Sequence, residues 1–321
     1  MLTQEPKTSS LPFSSITREE NEVIERPLVI GFGEVLWDIL PSGPTLGGAP
    51  ANFAYACASL GAYSSLISRI GNDGLGKKTR SQLSHSGIFL NGLTEDTVRP
   101  TGTVEVVLDT EGAATYSFPE NVAWDFLELS TNAERLITEA QIVCFGTLAQ
   151  RTPHNQQILS KLLKKAAPET LIVFDVNIRN DFYTHTILRT SIGYADIVKM
   201  NAVELAAVCA ATGIQEASET ATLQQLVHNY SLQAAVLTKG ITGSLVVTPD
   251  AVSNLTSFRV ELEDTVGAGD AFTAAFALGF QQRWNLDSAH RKAAVVASFV
   301  CTQKGAMPQY PDGLRIIPAH L

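Results

Sequence analysis

The chain predicts an α/β fold built on a mainly parallel sheet covered on both faces, and three observations carry that prediction. From about residue 123 onward, short apolar runs alternate with longer stretches of helical periodicity. The runs have the length and texture of buried strands, and the stretches between them are long enough for crossover helices. Acids, amides and a lysine collect just after the strands, where open parallel sheets bind their ligands.

Residues 1–26 are polar, lack the apolar core of a signal peptide and read as a flexible tail before Pro27. Leu28-Val29-Ile30-Gly31-Phe32-Gly33 reads as a buried first strand ending in glycines. Glu34 to Ile39 leads into a turn-rich segment from Pro41 to Pro50. Ala51 to Leu60 has small and apolar residues at helical spacing and closes at Gly61. Tyr63 to Ile70 reads as a strand ending at Gly71-Asn72-Asp73-Gly74. Thr103 to Leu108 and Ala113 to Phe118 flank Asp109-Thr110-Glu111-Gly112, a hairpin signal. Strands follow at 140–145, 171–176, 195–200 and 234–237, with helices near 154–167, 202–212 and 220–231. The polar strand ends hold Glu34 and Asp38, then Asp175, Asn177 and Arg179, then Asn201 and Glu204, then Thr238 and Lys239. Ordinary loop polarity is the competing reading.

At 321 residues, 45% hydrophobic and 17% charged, the chain has the composition of a globular protein with a sizeable core. A net charge of -9 without a Lys/Arg cluster offers no footprint for a nucleic-acid backbone. No apolar run reaches the length of a membrane span. Cys57, Cys144, Cys209 and Cys301 are widely spaced and form no CxxC, as expected of free thiols in a reducing, cytoplasmic setting. The histidines form neither HExxH nor a Cys/His cluster, which disfavours zinc chemistry. Gly31-Phe32-Gly33 lacks the third glycine of a dinucleotide fingerprint, and no GxxxxGK[ST] occurs.

The segment Glu263-Asp264-Thr265-Val266-Gly267-Ala268-Gly269-Asp270-Ala271-Phe272 reads as a tight turn running into a helix. Backbone N–H groups at such an end can hold a phosphate, and Asp270 beside them could take a proton from an attacking hydroxyl. Taken alone, it serves equally well as a surface turn with an Asp favoured by the helix dipole. Leu46-Gly47-Gly48-Ala49-Pro50-Ala51-Asn52 adds paired glycines for close backbone approach and an amide suited to hydroxyls. Asp38, ten residues before Gly48, would need hydroxyl donors if buried, although capping local backbone is the simpler alternative.

Together these segments resemble the PfkB, or ribokinase-like, carbohydrate kinases over nearly all of residues 27–316, and fructokinases most. Asp264 to Phe272 corresponds to the family motif DTxGAGDxF, and Gly47-Gly48-Ala49-Pro50-Ala51-Asn52 to its N-terminal glycine motif, with Gly71-Asn72-Asp73-Gly74-Leu75-Gly76 beyond it. The resemblance implies a three-layer α/β/α sandwich over 27–321 with a small β-sheet lid from about 35–48 and 99–121. It also implies phosphoryl transfer from ATP to a sugar hydroxymethyl. In those terms Asp270 is the base, and Gly267, Ala268 and Gly269 form the anion hole. Asp38, Gly48 and Asn52 contact sugar; Asn201 and Glu204 form the N-x-x-E motif that organises Mg²⁺ and phosphate; Thr238 and Gly240 contact nucleotide. Asp264, the Val266 carbonyl and Gly305 correspond to a monovalent-cation site for K⁺. A homodimer through the lid is the assembly the resemblance allows.

Ribokinases carry GGKGAN where this chain has Ala49 and Pro50, which counts against ribose. The opening Gly33-Glu34-Val35-Leu36-Trp37-Asp38 and Gly47-Gly48-Ala49-Pro50-Ala51-Asn52 resemble fructokinases, and Asp175-Val176-Asn177-Ile178-Arg179 is shared with both fructokinases and 2-keto-3-deoxygluconate kinases. Arg179 can reach hydroxyls or an acid's carboxylate. Fructose is therefore the first expectation and the keto acid the second, with a non-catalytic sugar- or nucleotide-binding protein as the alternative class. The helix end is expected to keep Asp270 ionised without any raised pKa.

Overall fold

The computed structural model describes residues 26–40, 43–108, 114–215 and 218–317. The tail expected over 1–26, apart from Arg26, and the hairpin turn expected at 109–112 lie outside these residues.

The strands are β1 (Leu28–Phe32), β2 (Leu36–Leu40), β3 (Gly43–Gly47), β4 (Tyr63–Gly71), β5 (Ile88–Phe89), β6 (Leu93–Asp96), β7 (Gly102–Leu108) and β8 (Ala114–Ser117). They continue with β9 (Ile142–Phe145), β10 (Leu171–Asp175), β11 (Ile197–Asn201), β12 (Ala234–Thr238), β13 (Ser244–Val247) and β14 (Val252–Leu255). The helices are α1 (Ala49–Ser59), α2 (Gly74–His85), α3 (Thr131–Glu139), α4 (Pro153–Leu163) and α5 (His185–Tyr194). After them come α6 (Ala202–Thr212), α7 (Glu219–Tyr230), α8 (Ala268–Gln281) and α9 (Leu286–Cys301).

The central sheet has the order β14-β13-β12-β11-β10-β9-β1-β4-β5, with β6 also paired to β4. From β12 to β5 every pairing is parallel, and β13 and β14 are antiparallel additions. Register decides which face each side chain takes: Ile30, Val143 and Ile172 lie abreast on β1, β9 and β10. They join Phe145 and Phe174 in a core completed by α3 to α7. Their chain neighbours Val29, Ile142 and Val173 point the other way, into a core completed by α1, α8 and α9. The alternation of one set of strands thus feeds two cores, which makes the three-layer α/β/α sandwich.

A second sheet, in the order β3-β2-β7-β8, stands apart from the first. Val35, Trp37 and Leu46 seat it on Ala51 and Ala54 of α1, and the Trp37 indole N–H donates to Thr79 of α2 at 2.8 Å. The turn-rich reading of 41–50 misses β3. Gly43 and Pro44 look like turn residues, but β3 is an edge strand, where a proline need not donate to a ladder. Helices α2, α3, α5 and α9 and strands β5, β6 and β14 were likewise not anticipated, and α4 ends at Leu163 rather than near 167.

Seven of the nine described α-helices begin on Asp, Ser, Thr or Asn whose side chain accepts a first-turn N–H. The second glycine motif serves this purpose: Asp73 caps α2 at Gly76 and also binds the Thr101 N–H and hydroxyl. Only α1 and α8 lack a side-chain cap, and each starts on a glycine of positive φ.

Candidate active site

Those two helix starts meet. Asn52 of α1 donates from Nδ2 to Oδ2 of Asp270 in α8 at 2.8 Å. Glycine is required at the start of both helices: a Cβ at Gly48 would lie 2.6 Å from the Glu34 carbonyl, and one at Gly267 would lie 2.5 Å from the Ala306 Cβ. The Ala268 N–H turns back to the Thr265 carbonyl at 3.3 Å, and the Ala271 N–H bonds the Gly267 carbonyl at 2.9 Å. Among the described residues, the N–H groups of Gly267, Gly269 and Asp270 have no partner in the chain. Of the three anion-hole residues read from the sequence, Gly267 and Gly269 therefore offer unbonded donors, while the Ala268 donor is engaged.

Asp270 differs electrostatically from expectation. Its carboxyl is pushed up to about 6, chiefly by burial and then by the negative charge of Asp175. Lys199, the Asn52 hydrogen bond and Arg179 pull the other way. The helix end does not outweigh desolvation together with a second carboxylate. Asp175 and Lys199 form a buried pair on neighbouring strands, with Nζ 3.0 and 3.1 Å from the two carboxylate oxygens. Thr273 of α8 donates to Asp175 at 2.8 Å, and a Cβ at Gly269 would lie 3.0 Å from Lys199 Nζ. A cation thus sits directly beneath the turn that carries the free N–H groups.

Asp38 lies in the middle of β2 rather than at a strand end, half-buried, with its carboxyl raised by burial and opposed by Arg179. Arg179 is exposed after β10 and donates to the Ile178 carbonyl at 2.9 Å. Its charge also reaches Glu34 and Asp270. Glu34, between β1 and β2, is 2% exposed and its carboxyl is pushed up to about 7. Burial is the main cause; the N–H groups of Glu34 and Ala49 and the charge of Arg179 oppose it, and Asp270 adds to it.

Across the Gly269 turn opens a cavity of about 1110 Å³. Thr238 and Gly240 line one wall, and Ala268 and Gly269 another. Asn201 does not line it: its side chain caps α6 by accepting the N–H groups of Val203 and Glu204, each at 2.9 Å. Glu204 returns the bond, taking the Asn201 N–H at 2.8 Å and the Ile178 N–H at 3.0 Å. The N-x-x-E pair is thus a capping box that ties the Arg179 loop to α6. Asp264 accepts the Val266 N–H and the Gly305 N–H, both at 3.0 Å, and so joins the two segments read as a monovalent-cation site.

Sequence reasoning missed Lys199 and Thr273. Lys199 had a signal, a lone cation inside the apolar run Ala195 to Met200, because an unpaired lysine is rarely buried. Thr273 had none, since its role depends on a strand 98 residues away.

Known proteins share this architecture. The profile of the pfkB family carbohydrate kinases matches residues 43–312. A Pyrococcus horikoshii protein described as an uncharacterized sugar kinase is 32% identical over 272 residues, spanning 81% of this chain and 82% of its own. Its crystal structure superposes with a TM-score of 0.76 over 87% of this chain and 93% of its own, at 28% identity. Fructokinase-1 of Oryza sativa is 28% identical over 322 residues, spanning 90% of this chain and 96% of its own. A Vibrio cholerae fructokinase structure bound to fructose, ADP and calcium has a TM-score of 0.74 at 26% identity, over 90% of this chain and 96% of its own.

Proposed function

The chain belongs to the pfkB family of carbohydrate kinases, and we propose that it transfers the γ-phosphoryl group of ATP to the 6-hydroxyl of D-fructose. The observation that carries this reading is the meeting of α1 and α8, where Asp270 is hydrogen-bonded to Asn52 beside unbonded backbone donors. Above about pH 6 Asp270 is ionised. It takes the hydroxyl proton as the sugar oxygen bonds to phosphorus and the bond from phosphorus to the departing ADP oxygen breaks. The Gly267 and Gly269 N–H groups are suited to the charge on the transferred group, with Lys199 beneath them. The cavity bounded by Thr238, Gly240 and Gly269 is read as the nucleotide site.

Mg²⁺ would neutralise charge on the nucleotide phosphates. Both Glu204 oxygens already accept N–H groups, which fits contact with that ion through water rather than directly. The oxygens of Asp264 and Val266 suit a hard monovalent cation such as K⁺, which would stiffen the joint between the 264–266 segment and Gly305.

Charge supports a neutral acceptor. Glu34, Asp38 and Asp270 all share the field of one guanidinium, Arg179. A keto acid would bring a further carboxylate to a guanidinium already shared by three carboxyl groups, whereas a ketohexose brings only hydroxyls. The small sheet, which holds Asp38 on β2, is read as the lid over that acceptor. An ADP-release assay with fructose, ribose, adenosine and 2-keto-3-deoxygluconate at equal concentration tests the reading. Fructose is expected to have the highest kcat/KM, and a tenfold preference for the keto acid would overturn the fructose assignment.

A further inference from the structure

Two buried acceptor atoms near Asp270 have no donor: Oε2 of Glu34 and Oδ1 of Asn52. A buried polar atom left unpaired is destabilising, so each of these oxygens calls for a donor that the chain itself does not supply. The surroundings of Glu34 do not supply one. Its carboxylate faces the N–H groups of Glu34 and Ala49, the Arg179 guanidinium and the Asp270 carboxylate, yet Oε2 remains without a bond. The Asn52 amide has already committed its NH₂ group to Asp270, which leaves its oxygen free to accept. The two residues are also joined through the backbone. A Cβ at Gly48 would touch the Glu34 carbonyl, and the Asn52 N–H bonds the Gly48 carbonyl at 2.9 Å.

We infer that Glu34, beside Asn52, accepts a hydrogen bond from a hydroxyl of the phosphoryl acceptor, which makes Glu34 a specificity-determining residue of this site. The inference rests on the sugar-kinase reading and adds Glu34 to the residues that read the acceptor's hydroxyls. The hydroxyl donates to Glu34, and the ionised carboxylate is a stronger partner than the neutral acid. An acceptor lacking that hydroxyl leaves an oxygen unpaired and is discriminated against more strongly than size alone would allow. Glu34 contributes through binding, while proton removal stays with Asp270.

The test compares wild type with Glu34→Gln, using whichever acceptor in the panel is phosphorylated best, together with its singly deoxygenated analogues. The variant is expected to raise KM for the acceptor by about tenfold or more, with kcat within about threefold and KM for ATP unchanged. In wild type, kcat/KM for the acceptor should rise with pH through about 7 as Glu34 ionises. That ionisation should vanish in Glu34→Gln, leaving the one near 6 that belongs to Asp270. Removing the matching hydroxyl should weaken wild type but not the variant further. Unchanged KM, or a retained ionisation near 7, overturns the assignment. Should the glutamine variant not fold, Glu34→Asp withdraws the carboxyl by one methylene and is expected to raise KM in the same direction. Calorimetric binding of the acceptor without ATP separates the two claims. Wild type that binds but never turns over contradicts the kinase reading, whereas equal affinity of wild type and variant contradicts the role of Glu34.

Discussion

Replacing either member of the Lys199–Asp175 pair should move the pH dependence of catalysis in opposite directions while lowering stability in both cases. Lys199→Met leaves Asp175, 4% exposed, with the Thr273 hydroxyl in place of a full counter-charge. Asp175→Asn leaves a buried ammonium without its carboxylate. Breaking a buried pair from one side costs about 3–5 kcal/mol, so each variant should melt roughly 6–15 °C below wild type. Their effects on Asp270 have opposite signs. Lys199 holds the Asp270 carboxyl down and Asp175 holds it up. The acid limb of kcat, near 6 in wild type, should therefore climb in Lys199→Met and fall in Asp175→Asn. Each displacement should be about one pH unit, or ~1.4 kcal/mol between the two protonation states. The double variant, neutral at both positions, should recover part of the lost stability and return the limb toward wild type. Initial rates from pH 5 to 9, beside thermal melts of each variant, provide the measurement. Limbs that shift the same way, or do not move, would refute the electrostatic coupling and reduce the pair to a packing strut.

Gly269→Val should reduce kcat far more than it weakens acceptor binding, because its Cβ would crowd Lys199 Nζ at 3.0 Å and displace the turn carrying the free N–H groups. Equal losses in kcat and acceptor Kd in a stably folded variant would make the turn a simple binding element. Asp270 should also limit stability. Its folded pKa, about 6, lies above its ordinary 3.8, so the folded state gains stability below pH 4 and loses it as pH rises through 6. Asp270→Asn should accordingly be more stable than wild type at pH 8, by at most about 3 kcal/mol, with the advantage shrinking toward pH 4. Chemical denaturation at pH 4, 6 and 8 would show it, and an advantage that grows on acidification would contradict the assigned pKa.

The parts of the fold legible in the sequence were those in which a local pattern and its tertiary role coincide. Buried strands such as Leu171–Asp175 are apolar up to their last residue because helices cover both faces of the sheet. Helix α6 is bracketed by Asn201 and Gly213, its N- and C-caps, and its bounds follow from that punctuation. The start of α8 at Gly267 is legible because only a glycine tolerates its φ of +78° against Ala306. Strand β3 was obscured because edge position excuses the turn-like Gly43 and Pro44. The charge of Asp270 was misjudged because the helix end is a local feature, while burial and Asp175 come from the packed sheet. Lys199 could have been flagged as a charge in an apolar strand, but its partner and its place under Gly269 exist only in three dimensions.

The most direct test of Asp270 as the proton acceptor is a single-turnover measurement on Asp270→Asn with saturating ATP and fructose. The side chain keeps its shape and can still meet Asn52, so acceptor and nucleotide affinities should stay near those of wild type. The rate of phosphoryl transfer should fall by ~10²–10⁴, and the ionisation near 6 should disappear from the pH profile. A transfer rate within about threefold of wild type, or an acid limb that survives the substitution, would contradict the account.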